Sequence, residues 1–418
     1  MTPEIEKRIK AVKAGRLPAA HCLDGKKTQW NHLQISDLFD EVCEKNHPDA
    51  DVLTIIQGTG TVLREESGRE IIYDENSLAS YKFVKKDDFI IHLRSFEGGL
   101  EVANQDGIVS PAYIILRPKI DVSTVYLYAL FHSNQFINQT MAPAVEGARD
   151  GRSVKYDVLK KQKIFLPPLV EQKKIAEIFS AQDKIIELKE KLIAEKQRQK
   201  KYLMRTLLDV STKRSFQLKG VMINKKKWKS EKIGNICDTF SGGTPNRSHS
   251  EYFNGNIPWI KSGELNQENI YETEEFLTKK GFENSSAKMV NKGTLLIAMY
   301  GATAGILAVS HIDAAINQAI LALVPKIEIN QLFMKNAIAN QIDVAVHRLV
   351  QGGQPNFNAL IIENFVLNIP SLPEQQAIAA VLSSADEEIS LLQRDLEQEK
   401  LKKKSLMQLL LTGIVRVK

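Results

Sequence analysis

LPPLVEQKKIAEIFSAQDKIIELKEKL at residues 166–192 and IPSLPEQQAIAAVLSSADEEISLLQRD at residues 369–395 align without a gap at a constant shift of 203 positions. Pro167 meets Pro370, Leu169 meets Leu372, Glu171-Gln172 meets Glu374-Gln375, Ile175-Ala176 meets Ile378-Ala379, Ser180 meets Ser383 and Asp183 meets Asp386. So many coincidences in one register mean an internal duplication. Prolines that cannot continue an upstream strand ladder, followed by a glutamate where negative charge suits the helix dipole, predict that each copy opens a helix.

In the first copy Ile175, Ile178, Phe179, Ile185, Ile186, Leu192, Ile193, Leu203 and Leu207 recur mostly at spacings built from threes and fours. Ile378, Val381, Leu382, Ile389, Leu392, Leu396, Leu406 and Leu410 repeat the stripe in the second. No glycine or proline interrupts either run before Ser211 or Gly413. Each helix is therefore expected to hold roughly 35 to 40 residues, about 50 to 60 Å at ~1.5 Å per residue. A narrow stripe on so long a helix needs a partner, and the other copy is the nearest one. An antiparallel coiled coil about a pseudo-two-fold axis buries both stripes and sends the intervening blocks to opposite ends. The lysine-rich turns at 196–201 and 400–404 are left to face solvent, a partner subunit or phosphates.

The 418 residues allow two or more folded units, and 43% hydrophobic content suffices for real cores. Lys and Arg number 56 against 50 Asp and Glu, a net charge of +6, so basic surface must come from placement. Cys22, Cys43 and Cys237 are too few and too scattered for a disulfide framework or a zinc site. The opening Met1-Thr2-Pro3-Glu4-Ile5-Glu6-Lys7 is charged where a signal peptide needs an apolar core, so a cytoplasmic protein is expected. The most apolar stretch, residues 294–309, contains Gly301 and Gly305 and falls short of the roughly 20 apolar residues that span a bilayer. It reads as buried strands, and no membrane partner is expected. Removing the helices leaves two blocks rich in glycine and strand signals, an α+β chain of two mixed α/β domains. The expected division is a first domain at 1–165, a central spacer helix at 166–214, a second domain at 215–368 and a C-terminal spacer helix at 369–418.

The second block carries, in order, Trp228, Ile233-Gly234, Ser241-Gly242-Gly243-Thr244-Pro245, Tyr252 and Ile257-Pro258-Trp259-Ile260-Lys261. Lys292-Gly293, Tyr300-Gly301-Ala302-Thr303, Ile316-Asn317-Gln318-Ala319 and Gln351-Gly352-Gly353-Gln354-Pro355-Asn356-Phe357 follow. Taken together and followed by the proline-led helix, this resembles a target recognition domain of the specificity subunit of type I restriction-modification systems. The first block resembles another variant of that domain. It has Trp30, Ile35-Ser36-Asp37-Leu38-Phe39, Asp87-Asp88-Phe89, Arg94-Ser95-Phe96-Glu97-Gly98-Gly99-Leu100 and Gly107-Ile108-Val109-Ser110-Pro111-Ala112-Tyr113. It lacks Gly-Gly-Thr-Pro and Ile-Asn-Gln-Ala, so it should read other bases. The resemblance implies two target recognition domains on paired helices and a bipartite, asymmetric double-stranded DNA site. It also implies two adenine-methylating modification subunits as partners, with restriction and translocase subunits joining for cleavage.

Base edges are read by side chains with paired donors and acceptors on a backbone that approaches closely. Arg94, Asn317, Gln318, Gln351, Gln354 and Asn356 have that chemistry, beside turns such as the one at Gly243. Ser95, Ser110, Ser241 and Thr244 suit phosphate or base, while Arg149, Arg152, Arg247 and Lys261 suit phosphates. Phe96 and Tyr300 serve either as stacking platforms or as core, and the tryptophans as core. The Gly-Gly-Thr-Pro stretch by itself is a tight turn as readily as a ligand loop, and Asn317-Gln318 can equally hold neighbouring strand ends. Lys225-Lys226-Lys227 reads as a solvated linker that can touch the DNA backbone.

Catalytic signatures are missing. There is no Asn/Asp-Pro-Pro-aromatic tetrapeptide for a target amine, no Gly-Lys-Ser/Thr phosphate loop, no H-E-x-x-H, and no Glu-x-Lys close after Pro48-Asp49. The expectation is a non-catalytic recognition subunit without cofactor or metal. A cryptic nuclease or methyltransferase and a coiled-coil scaffold without a DNA role stand as alternatives.

Overall fold

The computed structural model describes residues 30–68, 75–147, 151–212, 215–349 and 357–417, with a few positions before residue 12. The chain divides into two compact units, Met1–Glu190 with Arg394–Lys418, and Lys191–Gln393. The duplicated segments form one continuous helix each, Leu169–Leu208 and Leu372–Leu410. Their lengths of 40 and 39 residues match what the uninterrupted stripes predict. Each unit holds the start of one helix and the end of the other.

In the first unit an antiparallel sheet runs in the order Phe39–Val42, Ile114–Pro118, Phe89–Ile91, Glu101–Val102. A two-stranded ladder pairs Asn31–Gln34 with Lys163–Leu166, directly before the first long helix. The core gathers Ile35, Leu38, Phe89, Phe131 and Phe136 with Ile175 and Phe179 from that helix and Leu410 and Leu411 from the second. Phe89 and Phe131 meet edge to face at 5.1 Å, the geometry ring quadrupoles favour. Farther along, the two helices run antiparallel: Gln182 donates to the Glu399 carboxylate at 2.7 Å, and Lys403 pairs with Asp183, Lys400 with Glu190 and Lys189 with Asp395.

The second unit contains a five-stranded sheet, Cys237–Ser241, Ile320–Pro325, Leu295–Ala298, Leu307–Ser310 and Asn269–Ile270. A four-stranded sheet orders Glu275–Leu277, Phe253–Ile260, Ala314–Ile316 and Lys288–Val290. The apolar stretch at 294–309 supplies two adjacent antiparallel strands whose residues are all buried, the continuous pattern of strands covered on both faces. Trp228, Ile233, Ile297, Phe333 and Phe357 pack with Leu207, Leu208, Ile378 and Leu382 of the long helices. Here too the helices are antiparallel, with Lys196 on Glu388 at 2.6 Å and Lys200 on Asp386.

The stripes differ from expectation in the middle. Ile175, Phe179, Ile193, Leu207, Ile378, Leu382, Ile389, Leu396 and Leu410 are buried, but Ile185 is 38% and Leu192 42% exposed. Charged pairs from the lysine-rich turns flank the seam where those leucines and isoleucines were expected to close it. Such exposed pairs contribute roughly 0.2 to 1 kcal/mol each, so the buried apolar contacts supply most of the cohesion and the pairs set register.

The repeated Glu-Gln dipeptide does more than suit the helix dipole. In the first unit the buried Trp30 Nε1 donates to Glu171 at 3.2 Å, and Gln172 donates to the Pro167 carbonyl at 2.9 Å while accepting the Ser123 N–H at 2.9 Å. In the second, Trp228 Nε1 donates to Glu374 at 3.3 Å, and Gln375 donates to the Pro370 carbonyl at 3.0 Å while accepting the Asn330 N–H at 2.7 Å. Arg416, near the C-terminus, adds a two-point pair to Glu171 at 2.6 and 2.5 Å. Lys225 is not a solvated linker. It is 4% exposed, and its Nζ donates to the Thr206 and Asp209 carbonyls, both at 2.6 Å, capping the end of the first long helix.

Burial raises the Glu374 carboxyl, but donation from the Asn224 N–H, the Ser371 hydroxyl and N–H, and Trp228 overcomes it and holds the group below its ordinary range. A carboxyl depressed on folding contributes stability that is full above its unfolded pKa and is lost as pH falls through the folded value. Glu374→Gln should therefore destabilise the second unit by about 1 to 3 kcal/mol at neutral pH. In chemical unfolding the gap between variant and wild type should narrow in acid; a gap independent of pH would contradict the assignment.

Candidate nucleic-acid interface

In the second unit the loop after Cys237–Ser241 is glycine because nothing else fits. A Cβ on Gly242 would stand 1.8 Å from the Ile316 carbonyl oxygen, and one on Gly243 2.0 Å from Ser286 Oγ. The Gly243 N–H donates to that same Ile316 carbonyl at 3.1 Å, and Trp259 Nε1 donates to the Gly243 carbonyl at 3.2 Å. The Thr244 hydroxyl donates to Gln318 Oε1. Asn317 gives its N–H to the Ile260 carbonyl at 3.1 Å and uses its side-chain oxygen to accept the Ala319 N–H at 3.1 Å. One step further, Met299 N–H donates to the Ala319 carbonyl at 2.8 Å, and Phe357 N–H donates to the Met299 carbonyl at 2.7 Å. Four motifs scattered over more than a hundred positions thus meet at one place: Gly-Gly-Thr-Pro, Ile-Asn-Gln-Ala, the Tyr300 turn and the end of the segment leading to Phe357.

Beside this junction the cations are already paired. Arg247 contacts Glu275 through two nitrogens at 2.7 and 3.3 Å and lies over the rings of Phe253 and Trp259 at 4.7 and 5.2 Å. Lys261 Nζ reaches Glu275 at 2.8 Å and Glu274 at 3.3 Å. The Arg247 hydrogen bonds, with help from Lys261, hold the Glu275 carboxyl below its usual range, and Glu275 raises Lys261 in turn. Ser241 is half-buried at its strand end; Thr244 and Gln318 are exposed, and Tyr300 is 38% exposed. Glu274 and Glu275 have no signal in the sequence, because their partners are fixed only when Glu275–Leu277 pairs with Phe253–Ile260.

In the first unit Ser95–Gly98 forms a single helical turn. Ser95 is fully buried and its hydroxyl accepts the His92 N–H at 2.9 Å, so it shapes the loop from within. Arg94 is exposed. Arg152 lies 4.5 Å from the Phe96 ring centroid and 4.0 Å from Glu97, bringing together residues far apart in sequence. The His92 and Tyr113 rings meet edge-on at 6.4 Å, which joins this turn to the Ser110 loop; there the Ser110 carbonyl accepts the Tyr113 N–H at 3.1 Å. Burial holds the His92 imidazole below its ordinary value, so the ring is neutral at physiological pH. Arg149, Gln351, Gln354 and Asn356 lie outside the described residues.

The second unit thus gathers a hydroxyl, an amide and cations on loops fixed from behind, and the first sets an exposed Arg94 beside the Phe96–Arg152 pair. The model of the type I restriction modification DNA specificity domain matches residues 28–197 and again residues 225–401. The chain belongs to that family, as a specificity subunit of a type I restriction-modification system. It is 28% identical over 360 residues to the putative type I restriction enzyme MjaX specificity subunit of Methanocaldococcus jannaschii, covering 82% of each chain. With the MjaVIII specificity subunit of the same organism it shares 26% identity over 396 residues, 91% of this chain and 89% of the relative. Among solved structures, one from work on complex assembly and conformational transition of the type I R-M system matches with a TM-score of 0.59 at 18% identity, covering 92% of this chain and 98% of the other. The type I restriction-modification S subunit from M. genitalium matches with a TM-score of 0.51 at 15% identity, covering 91% and 96%. At such identities the structural likeness is one of fold.

The packing of Gly242 separates loop geometry from bulk stability. Gly242→Ala should cost about 1 to 3 kcal/mol by overpacking and weaken DNA binding in a gel shift. Gly263→Ala, whose added methyl meets nothing within 4 Å, should stay within about 0.5 kcal/mol of wild type. Equal behaviour of the two variants would mean that the Ile316 contact does not set the loop.

Proposed function

We propose that this subunit reads a bipartite, asymmetric double-stranded DNA target, each domain taking one half, and performs no catalysis of its own. The recognition domains are residues 1–165 and 215–368, with spacer helices at 166–214 and 369–418. The helices hold two modification subunits, which methylate adenine in the target, and restriction and translocase subunits join that assembly in the cytoplasm. The observation that carries the reading is the contrast within the repeat. The Trp–Glu bond and the Gln held between a proline carbonyl and a domain-helix N–H recur in both units, while the loop clusters share neither sequence nor partners.

Base edges fall to Arg94, Asn317, Gln318, Gln351, Gln354 and Asn356, with Ser110, Ser241, Gly243 and Thr244 lining the approach. Arg149, Arg152, Arg247 and Lys261 anchor phosphates, Phe96 and Tyr300 offer ring faces, and Ser95 acts by shaping the Arg94 loop. The family membership supports DNA as the ligand.

Two measurements test this. Inserting one turn into each long helix adds ~5.4 Å of helix and should lengthen the unread spacer of the methylated motif by about one or two base pairs at ~3.4 Å per step. An unchanged motif would remove the ruler role. Purified subunit incubated alone with DNA and either a divalent metal or S-adenosylmethionine should yield no product, whereas product without partners would favour a cryptic enzyme.

A further inference from the structure

The hairpin of Leu53–Ile56 and Gly60–Leu63 ends in Gln57-Gly58-Thr59, a tip held far more firmly than an exposed turn requires. Thr59 N–H closes the turn on the Ile56 carbonyl at 3.0 Å, with Gly58 at φ +81°. The Gly58 N–H donates to the buried Glu101 carboxylate at 2.7 Å. Asn104 Nδ2 donates to the Thr59 and Thr61 carbonyls, both at 2.9 Å, and Asn104 N–H donates to Thr61 Oγ1 at 2.9 Å. Glu101 is itself fixed by Tyr128 at 3.2 Å and His132 at 3.1 Å. Burying a carboxylate is costly unless its oxygens are satisfied, and here one of its bonds serves only to orient a surface turn.

What the turn presents is Gln57. The residue is exposed, and its amide makes no hydrogen bond to any described residue. It lies directly on the Arg94–Gly99 turn, since a Cβ on Gly98 would stand 1.8 Å from Gln57 Nε2. The amide thereby shares the loop cluster with Arg94, Phe96 and Arg152. An exposed carboxamide on a firmly anchored hairpin tip, against the turn that carries the exposed Arg94, matches the paired donor and acceptor that an adenine edge offers in the major groove.

We infer that Gln57 is a specificity-determining residue of the first unit, its amide pairing with an adenine of the DNA half-site, and that Glu101 and Asn104 are positioning residues that hold the hairpin tip for it. The inference rests on the recognition function proposed above. It names a reader that no motif in the sequence indicates.

The test is the genome-wide pattern of methylated adenines in a host that expresses the full chain with its modification subunit. Wild type should define two half-sites. Gln57→Ala should relax one position in one half by roughly tenfold or more, with the other half unchanged as an internal control of folding and assembly. Gln57→Glu should move that position towards cytosine, whose N4 amine suits a carboxylate acceptor. Asn104→Ala should relax the same position, and Glu101→Gln, which keeps an acceptor for Gly58, should preserve it better than Glu101→Ala. An unchanged motif in Gln57→Ala, or a uniform loss of methylation at every sequence, would overturn the assignment. A wild-type complex that methylates without a split motif would overturn the recognition reading, and this inference with it.

Discussion

Everything else in each unit hangs on a buried carboxylate and carboxamide side by side at the start of a long helix. Glu171 or Glu374 takes the indole N–H of a tryptophan that immediately precedes an edge ladder. Gln172 or Gln375 spans the proline carbonyl behind the helix and the N–H that begins a domain helix, Thr124–Phe131 in one case and Gln331–Leu349 in the other. Three elements are thereby tied to two adjacent side chains. A fully satisfied buried polar network is rigid and unforgiving, because removing one member strands the rest. The long helix cannot rotate against its domain without breaking it.

With the ends pinned, the middle of the helix pair needs only to be kept in register. Asp183 with Lys403 and Asp386 with Lys200 are the same pair seen twice, related by the 203-residue shift. Opposite charges placed this way oppose a slip along the seam more than they add stability. That explains why Ile185 and Leu192 can stand partly in solvent without loosening the arrangement, and why the apolar spacing along these helices is imperfect.

The helices were legible because periodicity, flanking prolines and the repeat all bear on the same residues. The strands at 295–298 and 307–310 were legible because full burial leaves a continuous apolar run. What could not be read were interactions decided by closure over distance. Lys225 looks like part of a charged linker, and only the arrival of the first helix's last carbonyls beneath it makes it a cap. Glu275 becomes the partner of Arg247 and Lys261 through strand pairing, and Gln57 comes to lie against Gly98 some forty positions later. The motifs of the second loop cluster were recognisable as an ordered series, yet their convergence on Ile316 and Met299 depends on backbone approach that residue types do not encode.

The two loop clusters also differ in how their charge is kept. In the second unit Arg247 and Lys261 are balanced by Glu274 and Glu275, whereas Arg94 in the first carries no ion pair among the described residues. Attraction to phosphate is the sequence-independent part of DNA affinity, and a cation already neutralised adds little to it until its carboxylate is displaced. Carboxylates next to a phosphate path also repel a backbone that is out of place. If the clusters read DNA as proposed, Arg247 and Lys261 reach phosphate only at the cost of their carboxylate pairs, whereas Arg94 reaches the duplex without that cost.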